Sequence, residues 1–149
     1  MPEHALAIPF DGLVELVGVG NDLPPHVTVL YPAPGDVQAI AQVLAPFDGF
    51  DVVFTRLDRF PGTLWLAPEP AEPFVAMTEA MIERFPEHPP YGGAYASIIP
   101  HLTVAQAQLD ETAALIEPLL PVASRAESVV LFESADGRHW REHTTFDLG

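Results

Sequence analysis

The sequence predicts an α+β domain of two pseudo-symmetric lobes, with mainly antiparallel strands, flanking helices and a central cleft. Three observations carry this. Apolar segments of period two and period 3.6 are interspersed without a strict β-α-β-α order. The chain ends on two strand-like segments joined by an Asp-Gly turn, which is a hairpin signature. One phrase is written twice, as Pro-His-Val-Thr-Val at 25–29 and Pro-His-Leu-Thr-Val at 100–104, about half a chain apart. A length of 149 residues fits one compact domain, 1–149, large enough to bury a core.

The elements follow in order. Residues 5–10 (ALAIPF) read as a short strand. Residues 26–32 (HVTVLYP) alternate and stop at Pro32, a second strand. Residues 35–46 place Val37, Ile40 and Leu44 on one helical stripe. Residues 51–57 (DVVFTRL) and 63–67 (TLWLA) read as strands. Residues 71–85 set Phe74, Met77, Met81 and Phe85 at helical spacing, with Glu72, Glu79 and Glu83 elsewhere on the surface. That stripe reads as core. Residues 88–95 (HPPYGGAY) form a Pro/Gly-rich loop, and 97–105 (SIIPHLTVA) a strand. Asp110 is placed to N-cap a helix running to about Leu120. Residues 128–134 and 140–148 are the closing strands, and 135–139 (ADGRH) their turn.

Composition bounds the function. There are 21 acidic residues against 6 basic ones, all Arg, giving a net charge of −15. Long nucleic acids are held largely by Lys and Arg on phosphates, so this surface repels a long duplex. A phosphate ligand must be small or gripped locally. The excess acid also keeps a protein soluble. Hydrophobic content of 48% with 18% charged argues against disorder. No apolar run is long enough for a membrane span, and MPEHALAIPF lacks the basic start of a secretory signal. The absence of Cys excludes disulfides and thiolate metal sites. A cytoplasmic monomer without cofactor is the resulting expectation.

The repeated phrase carries the chemistry. Random order would give His-x-Thr ~0.3 times in this composition, and with the flanking Pro and Val about 0.003 times. On a strand, residues i and i+2 share a face. His26 and Thr28 therefore point one way, and Val27, Val29 and Tyr31 the other. His101 and Thr103 likewise oppose Leu102 and Val104. Two such strands side by side bring two imidazoles and two hydroxyls onto one ligand. Imidazoles titrate near neutral pH, so one ring can take a proton while the other gives one. A Thr hydroxyl can donate to a non-bridging phosphate oxygen. This suits phosphodiester cleavage without a metal. A lone His-x-Thr is more often a structural hydrogen-bonded residue; the matched pair favours function. His143-Thr144-Thr145 lacks both flanking residues and serves as the decoy. No closely spaced His/Asp/Glu set of the His-Glu-x-x-His kind is present.

Twin His-x-Thr phrases in a bilobal α+β chain resemble the 2H phosphoesterase superfamily, which includes 2′-5′ RNA ligase-like proteins and 2′,3′-cyclic phosphodiesterases. The motifs are PHVTVLYP and IPHLTVA. The softer stretches RFPGTLWLAPEP, PPYGGAYASIIPHLTVA and RHWREHTTFDLG extend the resemblance over the whole chain. The resemblance implies a metal-independent site in which His26, Thr28, His101 and Thr103 surround a phosphate. It implies a cyclic phosphodiesterase acting on a nucleotide or RNA end. The alternatives are 2′-5′ RNA ligase activity or a non-catalytic nucleotide- or phosphate-binding module. The chain departs from RNA-acting relatives in its few basic residues, which favours a small cyclic phosphate or nucleotide over an RNA terminus. Tyr91, in the loop before the second motif, is the best base-stacking candidate, with Tyr31, Phe60, Trp65 and Tyr95 behind it. Arg138, in the final turn, is a candidate phosphate contact.

Overall fold

The computed structural model describes residues 2–16, 23–88 and 98–149. Eight strands form one sheet in the order β6-β3-β4-β5-β2-β1-β7-β8, with every neighbouring pair antiparallel. They are β1 (Glu3–Pro9), β2 (His26–Leu30), β3 (Phe50–Phe60), β4 (Thr63–Glu69), β5 (Leu102–Ala105), β6 (Val122–Ala126), β7 (Ser128–Ser134) and β8 (Arg141–Asp147). Among the described residues, three α-helices join them: α1 (Val37–Leu44), α2 (Glu72–Arg84) and α3 (Leu109–Ile116). The sheet divides four and four between β5 and β2, the two strands that carry the repeated phrase. This is the expected two-lobed α+β arrangement.

Alternation decides which face is covered. Leu6 and Ile8, Val27 and Val29, Leu102 and Val104, Leu64 and Leu66, and Val129 and Leu131 are all buried in one core. Ile40 and Leu44 of α1, Phe74, Met77 and Met81 of α2, and Ile116 of α3 pack into the same core. The helices therefore cover the face opposite His26 and Thr28. The other face keeps a smaller apolar cluster of Ala7, Val130 and Phe132.

Several boundaries differ from the sequence expectation. β3 runs on to Phe60 because Pro61 and Gly62 close a tight turn onto Thr63, with Gly62 at φ 76°. β5 is shorter than 97–105: residues 98–101 are not strand, and Ser97 lies outside the described residues. Strand β6 was not expected; it is a short edge strand on β3. A 3-10 helix, Asp11–Leu16, follows β1. Asp110 does not cap α3. The N-cap is Gln108, in the left-handed region at φ 55°, and Asp110 in the first turn instead pairs with Arg59 at 2.7 Å. Asp36 does cap α1, accepting from the Ala39 N–H. The Asp-Gly turn holds: Asp136 accepts from the Arg138 and His139 N–H groups, and Gly137 takes φ 78°. No described helix is long and apolar enough to cross a membrane.

One polar contact ties α2 to the motif strand. The buried Thr78 hydroxyl donates to the Val29 carbonyl at 2.7 Å. Thr78→Val keeps the shape and removes the donor, leaving that carbonyl short of a partner. The expected loss is about 1–2 kcal/mol of stability, read as a lower urea midpoint at unchanged m-value. An unchanged midpoint would show that this bond does not hold the helix to the sheet.

Candidate active site

The site is built by strand register. Val27 opposes Leu102 across the antiparallel pair β2/β5. One step either way sets His26 beside Thr103, and Thr28 beside His101, all on the uncovered face. The two motifs are thus related by a local two-fold axis through the Val27–Leu102 pair. His26 and His101 become diagonal neighbours, whose Cβ atoms in such pairs lie roughly 7–8 Å apart or somewhat less. That span can bracket a phosphate.

Each imidazole is fixed in the same way. His26 Nδ1–H donates to the Pro24 carbonyl at 2.7 Å, and His101 Nδ1–H to the Ile99 carbonyl at 2.8 Å. A carbonyl only accepts, so the proton sits on Nδ1 in both rings. In the neutral state Nε2 is left as the free acceptor. Both accepting carbonyls belong to the residue before a proline, Pro25 or Pro100. Proline holds the residue before it extended. The repeated proline therefore orients the carbonyl that sets the tautomer.

Burial lowers the pKa of both rings below the ordinary His value. For His26, burial is the largest cause; the Pro24 bond opposes it, and the charge of His101 adds to it. For His101, burial again dominates, opposed by the Ile99 bond. That His101 acts electrostatically on His26 marks the two rings as neighbours.

Thr28, His101 and Thr103 line a cleft of about 930 Å³, together with Tyr31, Phe60 and Ile99 among others. His101 rests against two aromatic rings. Phe60 meets it edge-on at 5.0 Å between centroids and Trp65 at 5.8 Å, and the two aromatics stack at 4.9 Å. Trp65 is buried, and its Nε1–H has no hydrogen-bond partner among the described residues. Of the stacking candidates, Tyr31 and Phe60 line the cleft and Trp65 does not. Tyr91 and Tyr95 lie outside the described residues. Arg138 sits in the exposed turn after β7 and does not line the cleft. The decoy His143 bonds Thr144 Oγ1 at 2.8 Å and lies 3.9 Å from Glu133, the carboxylate that also holds His4 and Arg141. Composition had singled out none of Pro24, Ile99 or Gln106; the repeated proline was the available signal for the first two.

A family model for the 2′-5′ RNA ligase superfamily matches residues 15–138. Among solved structures, the chain is similar to E. coli LigT complexed with 3′-AMP, at 13% identity and TM-score 0.66, over 99% of each chain. It is similar to E. coli LigT complexed with ATP at 16% identity and TM-score 0.66, again over 99% of each. A crystal structure described as a phosphoesterase matches at 13% identity and TM-score 0.65, over 99% of each. These identities bear on the fold alone. No curated protein sequence matches the chain.

The lowered imidazole pKa values fix a direction for stability. Between the ordinary His value of 6.5 and the lower folded values, the unfolded chain binds more protons than the folded one. The stabilising contribution is complete above that value and is lost as pH falls through the folded values. Urea midpoints should therefore drop between pH 7.5 and 5.5. The double variant His26→Asn/His101→Asn should lose most of that slope. The carboxylates with lowered pKa, among them Asp58 and Glu133, act only at still lower pH. An equal slope in the double variant would assign the drop to other groups.

Proposed function

The chain belongs to the 2′-5′ RNA ligase superfamily, and from that membership we propose that it is a metal-independent cyclic phosphodiesterase acting on a small nucleotide. The observation that carries the reading is the symmetric pair of imidazoles, each with Nδ1–H tied to a carbonyl, which leaves Nε2 as the acceptor of the neutral ring. In hydrolysis, water attacks phosphorus and gives its proton to the neutral Nε2 of one ring. The bond from phosphorus to one ribose oxygen breaks, and that oxygen takes a proton from the other ring. The product is a phosphomonoester with a restored hydroxyl. Thr28 and Thr103 donate to the non-bridging oxygens, where charge grows in the transition state. In this relay the two imidazoles alone carry the protons. The small nucleotides complexed with the LigT relatives support a nucleotide-sized ligand.

His26→Ala and His101→Ala should each lower the rate on a 2′,3′-cyclic nucleotide by about 10²–10⁴. His143→Ala should do much less. Activity should persist in chelator. The profile of kcat/KM against pH should be bell-shaped and centred below 6.5, because burial lowers both rings. The kcat profile should lie at higher pH, since a bound phosphate anion favours imidazolium. The limbs belong to the coupled pair. A folded His26→Ala with near-normal rate, or a His143→Ala as inactive as the motif variants, would show the wrong histidines had been chosen. Loss of activity in chelator, restored by a divalent cation, would rule out the relay.

A further inference from the structure

The cleft holds no fixed positive charge. The chain has no Lys, and all six Arg lie among the described residues. None of them lines the cleft. Four are committed elsewhere: Arg56 to Asp58 and Arg59 to Asp110 at 2.7 Å, Arg125 to Asp51 at 3.0 Å, and Arg141 to Glu133. Arg84 lies over the Phe85 ring, and Arg138 is in the exposed turn after β7. The positive charge available to a phosphate is therefore an imidazolium. Burial holds both rings neutral in the empty site near neutral pH. A bound anion favours imidazolium, and because two neighbouring imidazolium ions would oppose each other, it draws about one proton onto the pair. The surroundings add none. Tyr31, on the cleft wall, donates to Glu3 at 2.9 Å, which places a carboxylate behind that wall. Arg56 on β3 already has Asp58 beside it.

Resting on the reading of this cleft as a phosphodiester site, we propose that it selects singly charged phosphodiesters and rejects doubly charged phosphomonoesters. A cyclic phosphodiester carries one negative charge, which one imidazolium matches. A monoester loses its second proton at about pH 6. The second charge then faces a wall of Ile99, Phe60 and Tyr31 with no cation to meet it. The hydrolysis product thus becomes a poor ligand by ionising, which favours its release. This differs from a site lined by Arg or Lys, where the dianion binds more tightly than the diester.

The test is a binding measurement on the intact chain that needs no turnover. The probes are 2′-deoxyadenosine 3′-phosphate and its methyl ester, which lack the 2′-hydroxyl and differ by one methyl group and one charge. At pH 7.5, calorimetric titration should show the methyl ester binding more tightly by about tenfold, the scale of one unmatched charge at a partly wet site. At pH 5, where both probes carry one charge, the difference should nearly vanish. Gln106 lines the cleft, and Gln106→Arg should narrow the gap at pH 7.5 by strengthening monoester binding. Equal or tighter monoester binding at pH 7.5 overturns the proposal. So does a gap that persists at pH 5, a folded Gln106→Arg with an undiminished gap, or failure of both probes to bind. Turnover of a 2′,3′-cyclic nucleotide is measured separately. Its absence with the binding order intact sinks the enzyme reading and leaves charge selection standing.

Discussion

The site depends on one backbone pairing, Val27 against Leu102. Strand side chains alternate with period two, so a slip of one residue in either strand would turn its His and Thr into the core and its valines toward the cleft. The apolar alternates prevent that slip. Val27, Val29, Leu102 and Val104 are all within 2% of complete burial. Exposing them would cost far more than any polar contact on the other face returns. The core thus fixes the register, and the register fixes the site.

The local two-fold extends past the motifs into their support. Each His reaches back two residues to a carbonyl, at 2.7 and 2.8 Å. Each carbonyl belongs to a residue that a following proline holds extended. The rings nevertheless differ in surroundings. His101 meets Phe60 and Trp65 edge-on. The Nδ1 bond of His26 is part-buried, whereas that of His101 is exposed. Symmetric placement with unequal surroundings suits the unequal protonation states that the proposed relay requires.

Much of this was legible in the sequence, for a physical reason. Alternation reports which face is buried, so HVTVL and LTVA disclose both the strand and the shared side of His and Thr. The Asp-Gly turn reports itself because Gly137 supplies the positive φ. Other features were not legible because their causes lie far along the chain. Strand β6, VASRA, has a weak pattern and exists by pairing with β3 more than 60 residues earlier. Asp110 has the right chemistry for a cap, but the helix begins at Leu109 with Gln108 as its N-cap, so Asp110 lies within the first turn, where it pairs with Arg59, 51 residues away. Asp51 and Arg125 meet across 74 residues. Composition counts such charges, and only the fold shows which of them cancel.

That cancellation changes the meaning of the net charge. A value of −15 alone says that the surface repels polyanions. It does not say what a phosphate meets once inside. The paired arginines leave the cleft to hydroxyls, apolar side chains and the His101 imidazole, with His26 its diagonal neighbour on the adjoining strand. Burial that keeps these rings neutral also weakens their hold on an anion. A bound anion opposes that burial by favouring imidazolium, so ligand binding and proton uptake are one coupled event. In the proposed reaction the same two rings then serve as the anion site and as the proton carriers.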